Sequence, residues 1–358
     1  MNAEMLDRKY PVCIVGVGAR TPLGLNAPAS AAAVRAAIGA IGEHPYFVDK
    51  AGEPICVTMD SLLSPDVDGV DRIHALALPA MLEALAPLGP LEGIATPVPT
   101  FIGLPELRPG RPVNLDIDLA HRLENELPVR TTMIPKGHSA GLMAMEEAWR
   151  TIQSGQAEFC LAGGVDSYLE PETLEWLDQE KQLLSAQNRS GFPPGEGSGF
   201  CLLADTAAAR RIGLEVLAWI AAVATTIEES LIKTDDVCVG KGLANVISRV
   251  TESLRLPDEK ISMTYCDLNG ERYRNEEFTF ALLRVQSAFF SAIDNLTPVD
   301  CWGDVGAASG PLFAGLAAAS GLRGYAKGPR AMVWSCSEGG YRCATILHVP
   351  TPIEDHAL

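Results

Sequence analysis

"MIPKGHSAGLMAMEEAW", residues 133–149, predicts a turn that opens a helix. Pro135 and Gly137 interrupt regular structure, and Ser139 is a residue type that caps helix N-termini. Apolar residues then recur with helical spacing on one face, at Leu142, Met145, Trp149 and Ile152. Backbone N–H groups and the helix dipole at such a turn stabilise an anion, and enzymes place reactive groups there. Here the residue at the turn is His138.

Short apolar runs that predict strands alternate with helical patterns on both sides of this turn. The first half has strand patterns in "VCIVGVGA", "PVPTFIGL", "EFCLAGGV" and "SGFCLLAD", and residues 105–130 are predicted to be mostly irregular with one short helix. After Asp205 a similar order begins again with "LEVLAWIAAVATTI". Such strands between helices predict sheets that are covered on both faces. We therefore expect a duplicated α/β unit with halves at residues 1–206 and 207–358.

Composition limits the classes of function. The chain has 358 residues and a net charge of −17, which argues against nucleic acids and anionic membrane surfaces as partners. Its nine cysteines form no CxxC pair and no zinc-like spacing with histidine, so we expect free buried thiols in a reducing, cytoplasmic location. We also expect no bound metal and no cofactor. The sequence predicts no membrane span and no signal peptide.

Six segments, in this order, resemble the β-ketoacyl synthases of the thiolase superfamily. They are "VCIVGVGARTPLG", "GVDRIHALALPAMLEAL", "GQAEFCLAGGVD", "NRSGFPPGEGSGFCLL", "TPVDCWGDVGAASGPLFAGLAAA" and "SCSEGGYRCATIL". The resemblance implies a thiolase-like α/β fold of duplicated αβαβα units, with two mixed sheets layered between helices. It also implies a dimer that pairs the N-terminal halves through a central strand.

The resemblance places the family's Cys-His-His catalytic set on different residue types in this chain. A cysteine normally stands at the nucleophile turn, where "GHSAGLMA" has His138. A first histidine corresponds to Asn269 in "YCDLNGER", and a second corresponds to Ala307 in "WGDVGA". The family's lysine corresponds to Trp302. The sequence thus predicts a degenerate site, because an acyl group needs a nucleophile and a malonyl unit needs imidazoles for decarboxylation.

The same resemblance predicts a remnant pocket made by His138, Glu338, Gly339 and Trp302. The N–H groups of residues 138 and 338 stand where the family has its oxyanion hole. Glu338 replaces a gating phenylalanine, so we expect it to pair with a donor, with His138, Asn269, Arg342 and Lys136 as candidates. We expect Trp302 to narrow the entrance, and His138 to stay neutral at a helix N-terminus.

Three functional hypotheses remain open at this point. The first is a ketosynthase-like protein without condensing activity that acts as a partner, chaperone or scaffold. It would form a homodimer or a heterodimer with a ketosynthase-like chain, and an acyl carrier protein is a further candidate partner. The second is a divergent acyltransferase or thioesterase that uses His138 and the oxyanion hole. The third is an adaptor protein of a secretion or biosynthetic gene cluster.

Overall fold

The computed structural model describes residues 3–94, 96–231 and 233–351. Its elements up to the predicted boundary are α1 (Ala3–Lys9), β1 (Val12–Arg20), α2 (Ala27–Arg35), β2 (Gly42–Val48), β3 (Pro54–Val57), α3 (Gly69–Leu85), β4 (Val98–Leu104), α4 (Leu115–Glu126), β5 (Val129–Pro135), α5 (Ala140–Gln153), β6 (Phe159–Ser167), α6 (Pro171–Gln179) and β7 (Glu196–Asp205). Those that follow are α7 (Thr206–Arg211), β8 (Ala218–Ile227), α8 (Lys241–Thr251), β9 (Met263–Cys266), α9 (Arg272–Val285), β10 (Asn295–Leu296), α10 (Val299–Trp302), α11 (Ser309–Leu322), β11 (Arg330–Cys336) and β12 (Tyr341–His348).

The main sheet has the strand order β5-β4-β6-β7-β1-β8-β12-β11-β9-β10. Each half contributes five strands, and in each half the two outer pairings are parallel while the inner pairings are antiparallel. The halves meet where β1 pairs with β8, with Cys13 opposite Trp219 and Ile14 opposite Ala218. Because of this junction, the two mixed sheets that the sequence predicts form one continuous ten-stranded sheet. The repeated order supports a division near residue 206, which stays a prediction.

The helices form layers on both sides of the strands, as an αβαβα arrangement requires. Helix α3 covers β1 and β7 from one side, and α8 covers β8 and β12 in the other half. Helices α5 and α11 lie in the middle layer, where one apolar core joins both halves through side chains such as Leu142, Met145, Leu312 and Leu316. A core shared in this way ties the halves together far more than the two residue pairs at the β1–β8 junction.

Two glycines let the middle layer close around the segment that carries Ala307. A Cβ added at Gly164 would lie 2.1 Å from the carbonyl oxygen of Ala307, and one at Gly141 would lie 2.5 Å from the same atom. Both distances are too short for any side chain. The "LAGG" and "SAG" segments are therefore needed for packing of the backbone at Ala307.

Strand β5 (Val129–Pro135) differs from the expectation that residues 105–130 are mostly irregular and that 133–135 begin a turn. It forms seven parallel residue pairs with β4 and is the edge strand of the main sheet. Its sequence, "VRTTMIP", contains threonines, an arginine and a proline in place of a continuous apolar run. An edge strand is covered on fewer sides, so its composition carries a weaker signal.

Candidate functional site

Hydrogen bonds to strands β11 and β12 and to the turn between them hold the turn that follows β5. Ser139 Oγ donates to the carbonyl oxygens of Ser335 (2.8 Å) and Tyr341 (2.9 Å), and the Ser139 N–H donates to Ser337 Oγ (2.8 Å). Ser139 therefore anchors the turn to the sheet, and its side chain does not cap helix α5. Gly137 has φ of 67°, a conformation that glycine adopts without strain. Together these contacts set the direction of His138.

His138 is buried and is paired with a buried carboxylate. Its Nε2 lies 2.9 and 3.0 Å from the two oxygens of Asp304. Asp304 also accepts hydrogen bonds from Asn269 Nδ2 at 2.8 Å and from the Gly306 N–H at 2.9 Å. One carboxylate thus connects the turn after β5, the loop after β9 and the segment before α11.

Arg274 forms the second charged centre of the cluster. Its guanidinium donates to Glu271 (3.2 Å) and to the Cys336 carbonyl (2.9 Å), and it lies 3.4 Å from an oxygen of Asp267. One of its nitrogens lies 3.4 Å from His138 Nε2. All of these side chains are buried. A set of paired charges of this kind is stable only while each member keeps its partner.

The pKa values of the central pair follow from these contacts. Burial lowers the pKa of His138 and Arg274 lowers it further, but the charge and hydrogen bond of Asp304, together with the charge of Asp267, outweigh both, so the pKa lies above its ordinary value. Burial raises the pKa of Asp304, yet the His138 and Arg274 charges and the Asn269 hydrogen bond bring it well below the usual range. The pair is therefore an imidazolium with a carboxylate over a wider pH range than either group alone.

A cavity of about 130 Å³ opens beside His138. Its walls include Glu106, Arg108, Tyr168, Gln182 and Glu338, together with apolar side chains. Ligand pockets for drug-sized molecules usually measure about 300–1,000 Å³. This cavity has room for a few waters or a very small molecule, and not for a long acyl chain.

Similar proteins were found by sequence for the part of the chain that contains this turn. Residues 136–209 match the family model described as Beta-ketoacyl synthase, N-terminal domain. A "Putative polyketide beta-ketoacyl synthase 1" of Streptomyces cyaneus is 33% identical over 134 residues, which are 34% of this chain and 31% of that protein. The chain spans less than half the length of the curated relatives it matches.

Similar structures were found for nearly the whole chain. The structure of AntDE:AntF, a type II PKS acyl-carrier protein in complex with its ketosynthase, superposes with a TM-score of 0.81 at 15% identity, over 95% of this chain and 99% of that one. The ishigamide ketosynthase/chain length factor gives a TM-score of 0.69 at 18% identity, over 95% and 99% of the two chains. This chain has the thiolase-like ketosynthase fold. The predicted fold class is confirmed.

The structure of this ketosynthase-like chain brings two of the three predicted positions into one cluster. His138 and Asn269 both contact Asp304. Ala307 lies in the 3₁₀ turn Gly306–Ala308, which packs against the turn Gly137–Ser139, and its N–H donates to Asp166 at 3.0 Å. The correspondence of these residues to a family Cys-His-His set stays a prediction.

The predicted partners of Glu338 are wrong. Its carboxylate lies 2.5 Å from Lys233 Nζ at the edge of the site, and both side chains are about one-third exposed. Burial raises the pKa of Glu338, but Lys233 together with the Arg274 and His138 charges outweighs burial, so the net shift of the pKa is downward. Arg342 is instead paired with Glu277 in the interior. A carboxylate that reaches solvent finds a flexible lysine more readily than a buried group that is already paired.

The predicted roles of Trp302 and Gly339 also change. Trp302 is buried in the shared core and stacks on Phe313 with a centroid distance of 6.4 Å, so it does not narrow the cavity beside His138. A large apolar indole is more stable in that core than at a polar entrance. The Gly339 N–H lies 3.2 Å from both oxygens of Glu106, which places a carboxylate beside the predicted oxyanion hole.

Sequence reasoning missed Asp304, and with it the charge state of His138. The expectation of a neutral imidazole considered only the helix N-terminus, whereas the carboxylate at 2.9 Å has the stronger effect. Asp304 stands inside the quoted segment "WGDVGA", so an acid two residues after Trp302 was the available signal. No sequence motif indicated Arg274, because it lies in α9, outside the six segments that resemble the family.

The structure also bears on the cysteines and on the predicted lack of a membrane-spanning helix. All nine cysteines are free, and seven of them are buried. Glu228, Cys238 and Glu277 have possible ligand atoms within 4.8 Å of one another, although Glu277 holds Arg342 and Glu228 accepts from the Gly242 N–H. Within the described residues, no helix combines the length and the apolar character that crossing a membrane requires.

Proposed function

We propose that this ketosynthase-like chain is a partner subunit without condensing activity, in a system that builds polyketide-type products. The observation that carries the proposal is the His138–Asp304 pair at the turn where the family resemblance places a nucleophilic cysteine. Nε2 of His138 is held by the carboxylate, and burial raises the pKa of the cysteine that follows it in the sequence, Cys160, to about 12. Neither group is prepared to accept an acyl chain as a nucleophile.

The size of the cavity agrees with this proposal. A condensing enzyme must hold a growing acyl chain next to its nucleophile, and the space beside His138 is about 130 Å³. Charged and polar side chains, including Glu106 and Arg108, surround it. Placing an apolar chain there would leave those groups without water, which is unfavourable.

The surface next to the site offers a place for the partner chain. Strand β5, which leads into the His138 turn, is an unpaired sheet edge among the described strands. Close to it in sequence, Leu107, Val113 and Ile117 are 85%, 90% and 71% exposed. Large exposed apolar side chains beside an open edge are typical of a surface that another chain covers. We propose that a second ketosynthase-like chain, identical or different, pairs there.

The solved relatives support the choice of partners. One is described as a ketosynthase/chain length factor and another as an acyl-carrier protein in complex with its ketosynthase. We therefore propose a ketosynthase-like chain as the permanent partner and an acyl carrier protein as a transient one. The adaptor hypothesis stays a prediction, since no contact among the described residues favours it over this assembly.

Acyl transfer at His138 is a second candidate, and one observation favours it. A histidine oriented by a buried aspartate is the arrangement that general acid–base catalysis uses. The two hydroxyls of the turn are already engaged, because Ser139 Oγ donates to two carbonyls and Ser337 Oγ donates to the Lys136 carbonyl. The acyl-transfer proposal therefore has an oriented imidazole whose two nearby serine hydroxyls are engaged elsewhere, and it is the weaker of the two.

The experiment replaces His138 with cysteine and supplies acyl- and malonyl-loaded acyl carrier protein. We expect no condensation product from the wild type or from His138→Cys, since Asn269 and Ala307 lack the imidazoles for decarboxylation. Only slow self-acylation of His138→Cys is expected, because the helix N-terminus and the Arg274 guanidinium favour a thiolate at residue 138 while the Asp304 carboxylate opposes it. His121→Cys, at an exposed histidine, is the matched control for non-specific acylation.

Mass spectrometry of intact protein and of the carrier-bound product distinguishes these outcomes. Condensation by the wild type that disappears in His138→Ala would contradict the partner-subunit proposal. Full turnover by His138→Cys would contradict the assignment of Asn269 and Ala307. Hydrolysis of the acyl carrier thioester that depends on both His138 and Asp304 would favour the acyl-transfer alternative.

A further inference from the structure

A second and larger cavity lies outside the His138 site, between α2, the β9–β10 edge and α11. Its volume is about 440 Å³, which falls in the range of small-molecule pockets. The floor is mostly apolar and is formed by Ala31, Met263, Tyr265, Cys301, Leu316 and Ser320. None of these residues belongs to the His138 cluster, so this cavity is a separate feature of the fold.

The mouth of this cavity is positively charged. Arg35 and Lys327 line it, and Asp300 is the one acid among its described lining residues. Arg35 lies over the ring of Tyr325 at 4.2 Å. An adjoining cavity of about 310 Å³ shares Arg35 and Tyr325 and adds Arg323. Arg35 and Tyr325 thus line both cavities, while Lys327 lines the larger one and Arg323 the smaller one.

The arginines at the mouth are available for a ligand. Lys327 is paired with Asp294 at 2.5 Å, but within the described residues neither Arg35 nor Arg323 has a carboxylate partner. Guanidinium groups bind carboxylates and phosphates through paired hydrogen bonds.

We propose that this cavity binds an amphipathic anion, with an apolar body against Met263, Tyr265 and Leu316 and a carboxylate or phosphate held by Arg35 and Arg323. The apolar floor supplies burial, and the arginines select the charge at the mouth. The half-buried Tyr325 lines both cavities, and its ring lies under the Arg35 guanidinium. Carboxylate and phosphate share this chemistry, and the relative affinities of two probes assign the headgroup.

The test uses the full chain and four eight-carbon probes, and binding is measured by isothermal titration calorimetry. Octanoate and octyl phosphate carry the two anionic headgroups, octanol carries none, and octylamine carries a cation. We expect both anions to bind, octanol to bind at least tenfold more weakly, and octylamine not to bind. The anion with the higher affinity identifies the headgroup.

Variants then locate the site. The double variant Arg35→Gln/Arg323→Gln changes two exposed side chains, so folding should be retained, and we expect it to weaken anion binding at least tenfold and leave octanol unchanged. Arg189→Gln, at another exposed arginine, should have no effect. His138→Cys should have none either, which separates this proposal from the one above. Failure of both anions to bind, equal binding of octylamine, or anion affinity that does not depend on the arginines would overturn the proposal.

Discussion

Replacing Asp304 with asparagine tests the charge arrangement around His138. The carboxylate receives hydrogen bonds from His138, Asn269 and Gly306 and is buried. An asparagine of the same shape removes the negative charge and presents an N–H₂ group to one of these donors. Removing one partner of a buried pair costs about 3–5 kcal/mol, because the other charge stays buried without compensation. We expect Asp304→Asn to lower the free energy of unfolding by about that amount near pH 6.

The dependence on pH gives this prediction its direction. The folded pKa of His138 is raised, so its pairing with Asp304 stabilises the wild type fully below the ordinary histidine pKa of about 6.5 and is lost as the pH rises through the folded value. In Asp304→Asn, burial and Arg274 lower the pKa of His138, so the folded variant gains stability as the pH rises toward about 6.5. The difference between the two proteins should therefore be largest in mild acid and smaller in mild alkali.

Urea unfolding followed by tryptophan fluorescence, from about pH 5 to pH 9, measures this difference, and the NMR signal of the His138 ring gives its pKa directly. Asp300→Asn is the control, because Asp300 is an exposed carboxylate on the same segment. A stability difference that does not change with pH would refute the reasoning. So would a His138 pKa in the wild type at or below the ordinary value.

Two further predictions concern the interior. Gly164→Ala should greatly reduce the yield of soluble protein, because the added Cβ would lie 2.1 Å from the Ala307 carbonyl oxygen. The control is Gly42→Ala, which should leave the yield unchanged because the space around Gly42 is open. Soluble expression and thermal melting compare the two variants, and a normal melting temperature for Gly164→Ala would contradict the packing argument. Glu277→Gln should lower the free energy of unfolding by about 3–5 kcal/mol, because it leaves the buried Arg342 guanidinium without its carboxylate. The double variant Glu277→Leu/Arg342→Met removes both charges and should recover most of that loss, as measured by urea unfolding. Equal losses in the two variants would contradict this prediction.

The fold could be predicted because each strand is indicated by its own short segment and these segments follow one another in a recognisable order. Each of the quoted strand segments contains a continuous apolar run, and a strand covered on both faces needs such a run. Strand β5 was missed for the opposite reason, since an edge position tolerates "VRTTMIP". Helix α2 ends at Arg35 although the sequence continues with alanines, because the chain leaves helical geometry at Ala37, where φ is 53°.

The site was less predictable because its charges come from distant parts of the chain. The turn that presents His138 follows from "PKGHS", but the pKa of the imidazole depends on Asp304, 166 residues away, and on Arg274. A motif identifies which backbone segments meet. It does not identify which of several acids and bases on those segments become partners, and Glu338 shows this, since its partner Lys233 lies outside every quoted segment.

The shared middle layer has a consequence for how the protein is made. Helix α5 packs its apolar face against α11, which ends at Leu322, close to the end of the described chain. During synthesis on the ribosome, the first half emerges with Leu142 and Met145 uncovered until the last elements follow. A nascent chain in this condition is exposed to aggregation while the residues between α5 and α11 are synthesised. Truncated transcripts and slow codons late in the gene should therefore reduce the yield of this protein more than the same defects would in a protein with two self-contained domains.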